Sequence, residues 1–171
     1  HCLSRGLGDV YKRQVFADAI ENLPVSIAID YHTFKMLTGS DRAIHFEALE
    51  QFVEKYNPVE LLGKKAAARL YNYLVNHLIN LINEGDESRY GQCLAYLNYT
   101  IDNRLVFNRG EMSPQRFKNT VTVYSHEKQF KYAQAFIDYF QNLLPEEKRN
   151  QAVLYNDCLL YTSDAADEST G

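Results

Sequence analysis

The chain has 171 residues, 46% of them apolar, with only 8 Gly and 4 Pro, which excludes a disordered or collagen-like polymer and fits one domain or a piece of a larger one. A formal charge of −4 and a pI near 5.7 leave no broadly basic face, so general nucleic-acid binding is excluded. No apolar run approaches the roughly 20 residues of a membrane span; the most apolar stretch, 70–82, is interrupted by Asn72, Asn76, His77 and Asn80.

In chain order, the first 14 residues, HCLSRGLGDVYKRQ, and the last 14, CLLYTSDAADESTG, resemble translated sequencing-adapter read-through of the kind found at the ends of proteins assembled from metagenomic fragments. The expectation is therefore that 1–14 and 158–171 are not native sequence and that 15–157 is a helical fragment of a longer protein. Residues 15–22 read as the end of a helix closed near Pro24. The run 25–37 alternates as a strand would at Val25, Ile27, Ile29 and Tyr31. Ile27, Tyr31, Phe34 and Leu37 also fit one face of a helix, and helix is expected because no second strand stands ready to pair. Thr38, Gly39 and Ser40 mark a turn. A helix over 41–56 follows, with Ser40 as cap, Phe46, Leu49, Val53 and Tyr56 inward, and Glu47, Glu50 and Glu54 outward. Asn57, Pro58 and Glu60 open the next helix as cap, first position and third position. It extends toward Asn83, with Gly63 able to interrupt its first turn and Gly85 closing it in left-handed geometry. Leu70, Leu74, Leu78 and Leu81 carry its apolar face. Ser88 is expected to cap a helix through Phe107 that buries Tyr90, Leu94, Leu97, Ile101 and Leu105.

The clearest stretch is 117–145. Ser113 is a good N-cap and Pro114 suits a first helical position, where a missing N–H costs nothing. Phe117, Val121 and Tyr124 form the apolar face of the helix they open. Phe130, Ala133, Ile137, Phe140 and Leu144 recur at steps of three and four in the next one. Pro145 stops it and pushes Leu144 out of helical geometry. Short connections make neighbouring helices antiparallel, so the expected architecture is all-α: roughly seven or eight helices in consecutive antiparallel hairpins.

With Pro145 placed at its last signature position, this hairpin resembles a tetratricopeptide repeat of about 34 residues. Phe117 and Tyr124 fall at the two aromatic positions, Ala133 at the small position of the second helix and Ile137 at the large apolar one. Val121 and Phe140 stand where the family has small residues. The resemblance covers one repeat. Shifting the frame back puts Asn83 at an aromatic position, so the earlier hairpins read as irregular helical-repeat units of an α-solenoid. The runs NRGEMSPQRFKN and LLPEEKRNQAVLYN also resemble a group of bacterial helical-hairpin proteins, which implies no activity.

No phosphate-cradling glycine loop, nucleophile elbow or paired-histidine metal motif is present, so no catalytic residue, metal ligand or cofactor is nominated. Of the histidines, His32, His45, His77 and His126 lie in the native stretch. Asp41 and His45, four apart, read as a surface ion pair. His77 reads as half-buried beside the leucine stripe. Cys93 reads as a small buried hydrophobe, and as the single cysteine of 15–157 it offers no disulfide. That suits a reducing compartment and a cytoplasmic setting. Asn72, Asn76, Asn80 and Asn83 form an amide row that reads either as a ladder for a partner's backbone or as an ordinary polar face. Arg104, Arg109, Arg116 and Lys118 read as a solvated basic face.

The resemblance implies an interaction scaffold with a groove for a peptide or helix of a partner protein. The groove side of the first helix would carry Gln115, Lys118, Thr122 and Ser125, with Lys118 toward an acidic group or C-terminal carboxylate. The other expectations are an accessory region of an enzyme whose catalytic part lies elsewhere, or a spacer within a solenoid.

Overall fold

The computed structural model describes residues 24–39, 41–108 and 111–150. The expected helix over 15–22, the cap Ser40, Arg109 and the two adapter-like ends all lie outside the described residues. The chain divides into two units, one ending at Leu62 and one beginning at Gly63. Regular structure in both is helical apart from one two-residue ladder, so the fold is all-α. Among the described residues no helix is long and apolar enough to cross a membrane.

In the first unit α1 spans Val25–Thr38, α2 Arg42–Lys55 and α3 Pro58–Leu62. α1 and α2 pack on each other through the short turn at Gly39, whose N–H donates to Lys35 O at 2.7 Å. α1 is a helix, not the alternating strand, but it buries the face opposite to the expected one. Ile29, Thr33 and Met36 are inside, while Ile27, Phe34 and Leu37 remain 50%, 61% and 47% exposed. The physical reason is that apolar residues lie on both sides of α1, so spacing alone cannot choose between the two rows. In α2, Phe46 and Leu49 are buried as expected, Val53 is half-buried, and Tyr56 follows the helix end and is 41% exposed. Asp41, rather than Ser40, stands at the helix start, without a side-chain cap bond. Asn57 Oδ1 accepts from Val59 N–H at 3.1 Å, the capping expected of it.

The second unit opens on Gly63, at φ 77° and ψ 160°. That region of backbone space is essentially restricted to glycine. The expected interruption is therefore a complete break, and α4 runs Lys64–Asn83. It buries Ala67, Leu70, Tyr71, Leu74, Val75 and Leu78. Gly85, at φ 105°, closes it as expected, with Asp86 N–H donating to Leu81 O at 3.0 Å. Ser88 is not the cap of the next helix. It lies inside a 3₁₀ turn, Glu87–Arg89, and its hydroxyl donates to Asp86 Oδ1 at 2.5 Å.

α5 covers Tyr90–Asp102 and stops five residues before the expected end at Phe107. Arg104 adopts φ 55°, and Leu105 N–H reaches back to Thr100 O at 2.8 Å, which closes the helix as a glycine would. The chain then forms the ladder β1, Phe107–Asn108, with β2, Glu111–Met112, in antiparallel register Phe107↔Met112. α6, Pro114–His126, begins as expected, with Ser113 Oγ accepting from Arg116 N–H at 3.1 Å. Lys128 repeats the left-handed closure at φ 56°. α7, Phe130–Phe140, passes into a 3₁₀ turn and ends at Leu144, whose backbone is extended before Pro145. Each helix of α4–α7 packs on the next. Phe117 and Phe136 meet at 5.3 Å between centroids, and Phe136 and Phe140 at 4.7 Å. The phenolic hydroxyl of Tyr124 donates to Asn98 Oδ1, joining α6 to α5.

Candidate functional site

The site is a cleft of about 290 Å³ between α4 and the start of α6, lined by Asn72, Val75, Asn76, Ser113, Gln115, Arg116 and Asn119. The apolar rows of the two helices turn Val75 and Phe117 into the core. That leaves the amides of Asn72 and Asn76 on one wall and those of Gln115 and Asn119 on the other. Gln115 Nε2 donates to Asn119 Oδ1 at 2.8 Å, one helical turn on. Arg116 bridges the walls, with Nη2 donating to Asn72 Oδ1. Its Nη1 is buried without a hydrogen-bond partner among the described residues. Burial is the main influence on this guanidinium and lowers its pKa; the nearby Cys93 thiol acts in the opposite sense. Cys93 is fully buried, and burial pushes its thiol up to about 12.

Chemically, the cleft offers several amide donors and acceptors around one desolvated cation. Such a wall suits the hydrogen-bonding edge of a peptide and an anionic group on it. Of the residues expected on the groove side of α6, Gln115 lines the cleft, and Lys118 and Thr122 are exposed on the surface that continues from it. Ser125 is half-buried and its hydroxyl donates to Val121 O at 2.8 Å, so its polarity is used within its own helix. The row Asn72, Asn76, Asn80 and Asn83 is exposed throughout, and its first two members reach the cleft.

Arg116 is the residue that sequence reasoning misplaced. It does not belong to a solvated basic face with Arg104 and Lys118, both of which are exposed. It shares the side of α6 that carries Thr120 and Val123, 1% and 0% exposed. That row was the available signal: a step of four and then three from position 116 reaches two residues suited to a core.

Elsewhere in the second unit, the His126 ring stacks on Tyr90 with centroids 3.5 Å apart, tying α6 to α5, and its Nδ1 lies 3.4 Å from Glu127 Oε1. His77 is half-buried, as expected. In the first unit, Asp41 acts on His45 as the expected opposite charge, and His45 has a second neighbour besides. His45 Nδ1 lies 3.0 Å from Nδ1 of His32, on the facing helix. Among the described residues no three His, Cys, Asp or Glu side chains gather into a metal-binding group.

The fold and cleft define an all-α protein with a polar interhelical recess. Compared with protein-family models, curated proteins and solved structures, the chain finds no match in any of the three.

Proposed function

We propose that the chain is a protein-interaction scaffold of tetratricopeptide-like helical hairpins that takes an extended peptide along α6. The observation that carries this reading is the amide-lined cleft with the half-buried Arg116 spanning it. Of its nitrogens, Nη2 faces the cleft and donates to Asn72 Oδ1, and a charged donor held there by that bond suits a partner's carbonyl or carboxylate oxygen. The amides of Asn72, Asn76, Gln115 and Asn119 read the peptide backbone. Lys118, exposed one turn beyond Gln115, meets an acidic side chain or the C-terminal carboxylate.

The test is binding of fluorescent random-sequence peptides, one set ending in a free carboxylate and one amidated, to the chain and to Lys118→Glu. The free-carboxylate set is expected to bind better. Charge reversal is expected to weaken it by about tenfold, the effect of roughly 1.4 kcal/mol at one charge-assisted contact. The far-UV circular dichroism of the variant should match the parent. Equal binding of both proteins to both sets would remove the groove assignment.

A further inference from the structure

We infer that His32 and His45 form a two-histidine chelate for a borderline-soft divalent metal ion, of the zinc, nickel and copper series, across the α1–α2 hairpin. The pair joins two helices, and its nitrogens are 13 residues apart in sequence yet 3.0 Å apart in space. With metal–nitrogen bonds of about 2.0–2.1 Å, two neighbouring ligands on one tetrahedral or octahedral ion stand roughly 2.9–3.4 Å apart. The separation of the two Nδ1 atoms falls in that range without any movement of either helix.

The surroundings hold the rings in place. Tyr31 meets His32 edge-on at 5.4 Å and His45 edge-on at 5.7 Å, so one aromatic ring braces both imidazoles. The two imidazole planes are tilted by 55°, with centroids 5.1 Å apart. Ligation requires neutral rings with a free Nδ1 lone pair and the remaining hydrogen on Nε2. Burial holds His32 below its ordinary value, helped by the neighbouring ring of His45. Burial also lowers His45, with Lys35 acting in the same sense and Asp41 against it. In the contact seen, one Nδ1 carries the hydrogen that the two share, and metal binding would move it to Nε2 of that ring.

Imidazole pairs suit zinc, nickel and copper rather than magnesium or calcium, which prefer oxygen ligands. Two protein ligands leave other coordination positions to water or to a group from outside the chain. The ion is therefore exchangeable, and it clamps α1 to α2 rather than building the fold.

The experiment uses the full chain stripped of metal by a chelator and titrated calorimetrically with zinc chloride at pH 7.5. One saturable equivalent is expected, with the thermal midpoint rising as zinc is added. His32→Gln and His45→Gln should each weaken binding at least tenfold, whereas His77→Gln and His126→Gln should leave it unchanged. Acidification should weaken it, since protons compete for the same nitrogens. A direct readout on the unsubstituted chain guards against misfolded variants: with ¹⁵N-labelled imidazoles, zinc should shift Nδ1 of these two histidines and no others. No saturable binding, retention of affinity in both His32 and His45 variants, or zinc-induced shifts confined to other histidines would each overturn the assignment. The first of those outcomes would leave the pair as an imidazole–imidazole hydrogen bond.

Discussion

Ser113 concentrates much of what α6 needs at its start. Its hydroxyl oxygen takes the Arg116 N–H, and Arg116 is also the residue that spans the cleft. Ser113→Ala should cost about 1 kcal/mol, the usual effect of losing an N-cap, read as a lower urea midpoint with an unchanged slope. Cys93 provides the opposite kind of residue, one defined by what it does not do. A thiol with no exposed surface and a pKa near 12 supplies almost no thiolate at neutral pH. Iodoacetamide should leave Cys93 unmodified in the folded chain and alkylate it in urea, as read by peptide mass mapping at that position. Its burial was legible in the sequence from its place between the apolar rows of α5. The half-burial of Arg116 was not, because a positive charge near other positive charges in sequence looks like a surface. Its cleft partner Asn72 lies 44 residues away.

At the scale of the element, helix limits announced by proline were read correctly, whereas the cap expected at Ser88 and the helix end at Arg104 were not. Pro114 and Pro145 bracket α6 and α7 where the sequence places them. The end of α5 was missed because Arg104 fills the left-handed position that glycine or asparagine usually signals. The inward face of α1 was missed for a different reason, since its helix carries Ile27, Phe34 and Leu37 on one side and Ile29 and Met36 on the other. The α1–α2 hairpin has its own pH response. Both of its histidines have folded-state values below the ordinary 6.5. Below 6.5 the unfolded chain therefore binds more protons than the folded one. The stability they contribute is complete above 6.5 and is lost as the pH falls through their lowered values. In the presence of a chelator, the urea midpoint of the hairpin should decline just below 6.5. The double variant His32→Gln, His45→Gln should flatten that decline, and an unchanged slope of midpoint against pH would show that other groups cause it.

At the scale of the whole molecule the chain holds two cores, divided at the peptide between Leu62 and Gly63. The sequence shows the helices on either side but not that division, because a helix running from Pro58 to Asn83 with one weak glycine fits the same pattern. What separates the two readings is a backbone angle rather than a side chain. Gly63→Ala should destabilise the chain by about 1–3 kcal/mol, the cost of holding an L-residue in that region, measured by chemical denaturation. Gly63 is exposed, and a Cβ built on it would meet nothing within 4 Å. A saturation-mutagenesis map would therefore show an open surface position that tolerates almost no replacement, the pattern usually taken to mark a binding residue. At Gly63 that intolerance would come from the main chain alone, and docking a ligand there on the strength of such a map would place it on an empty surface.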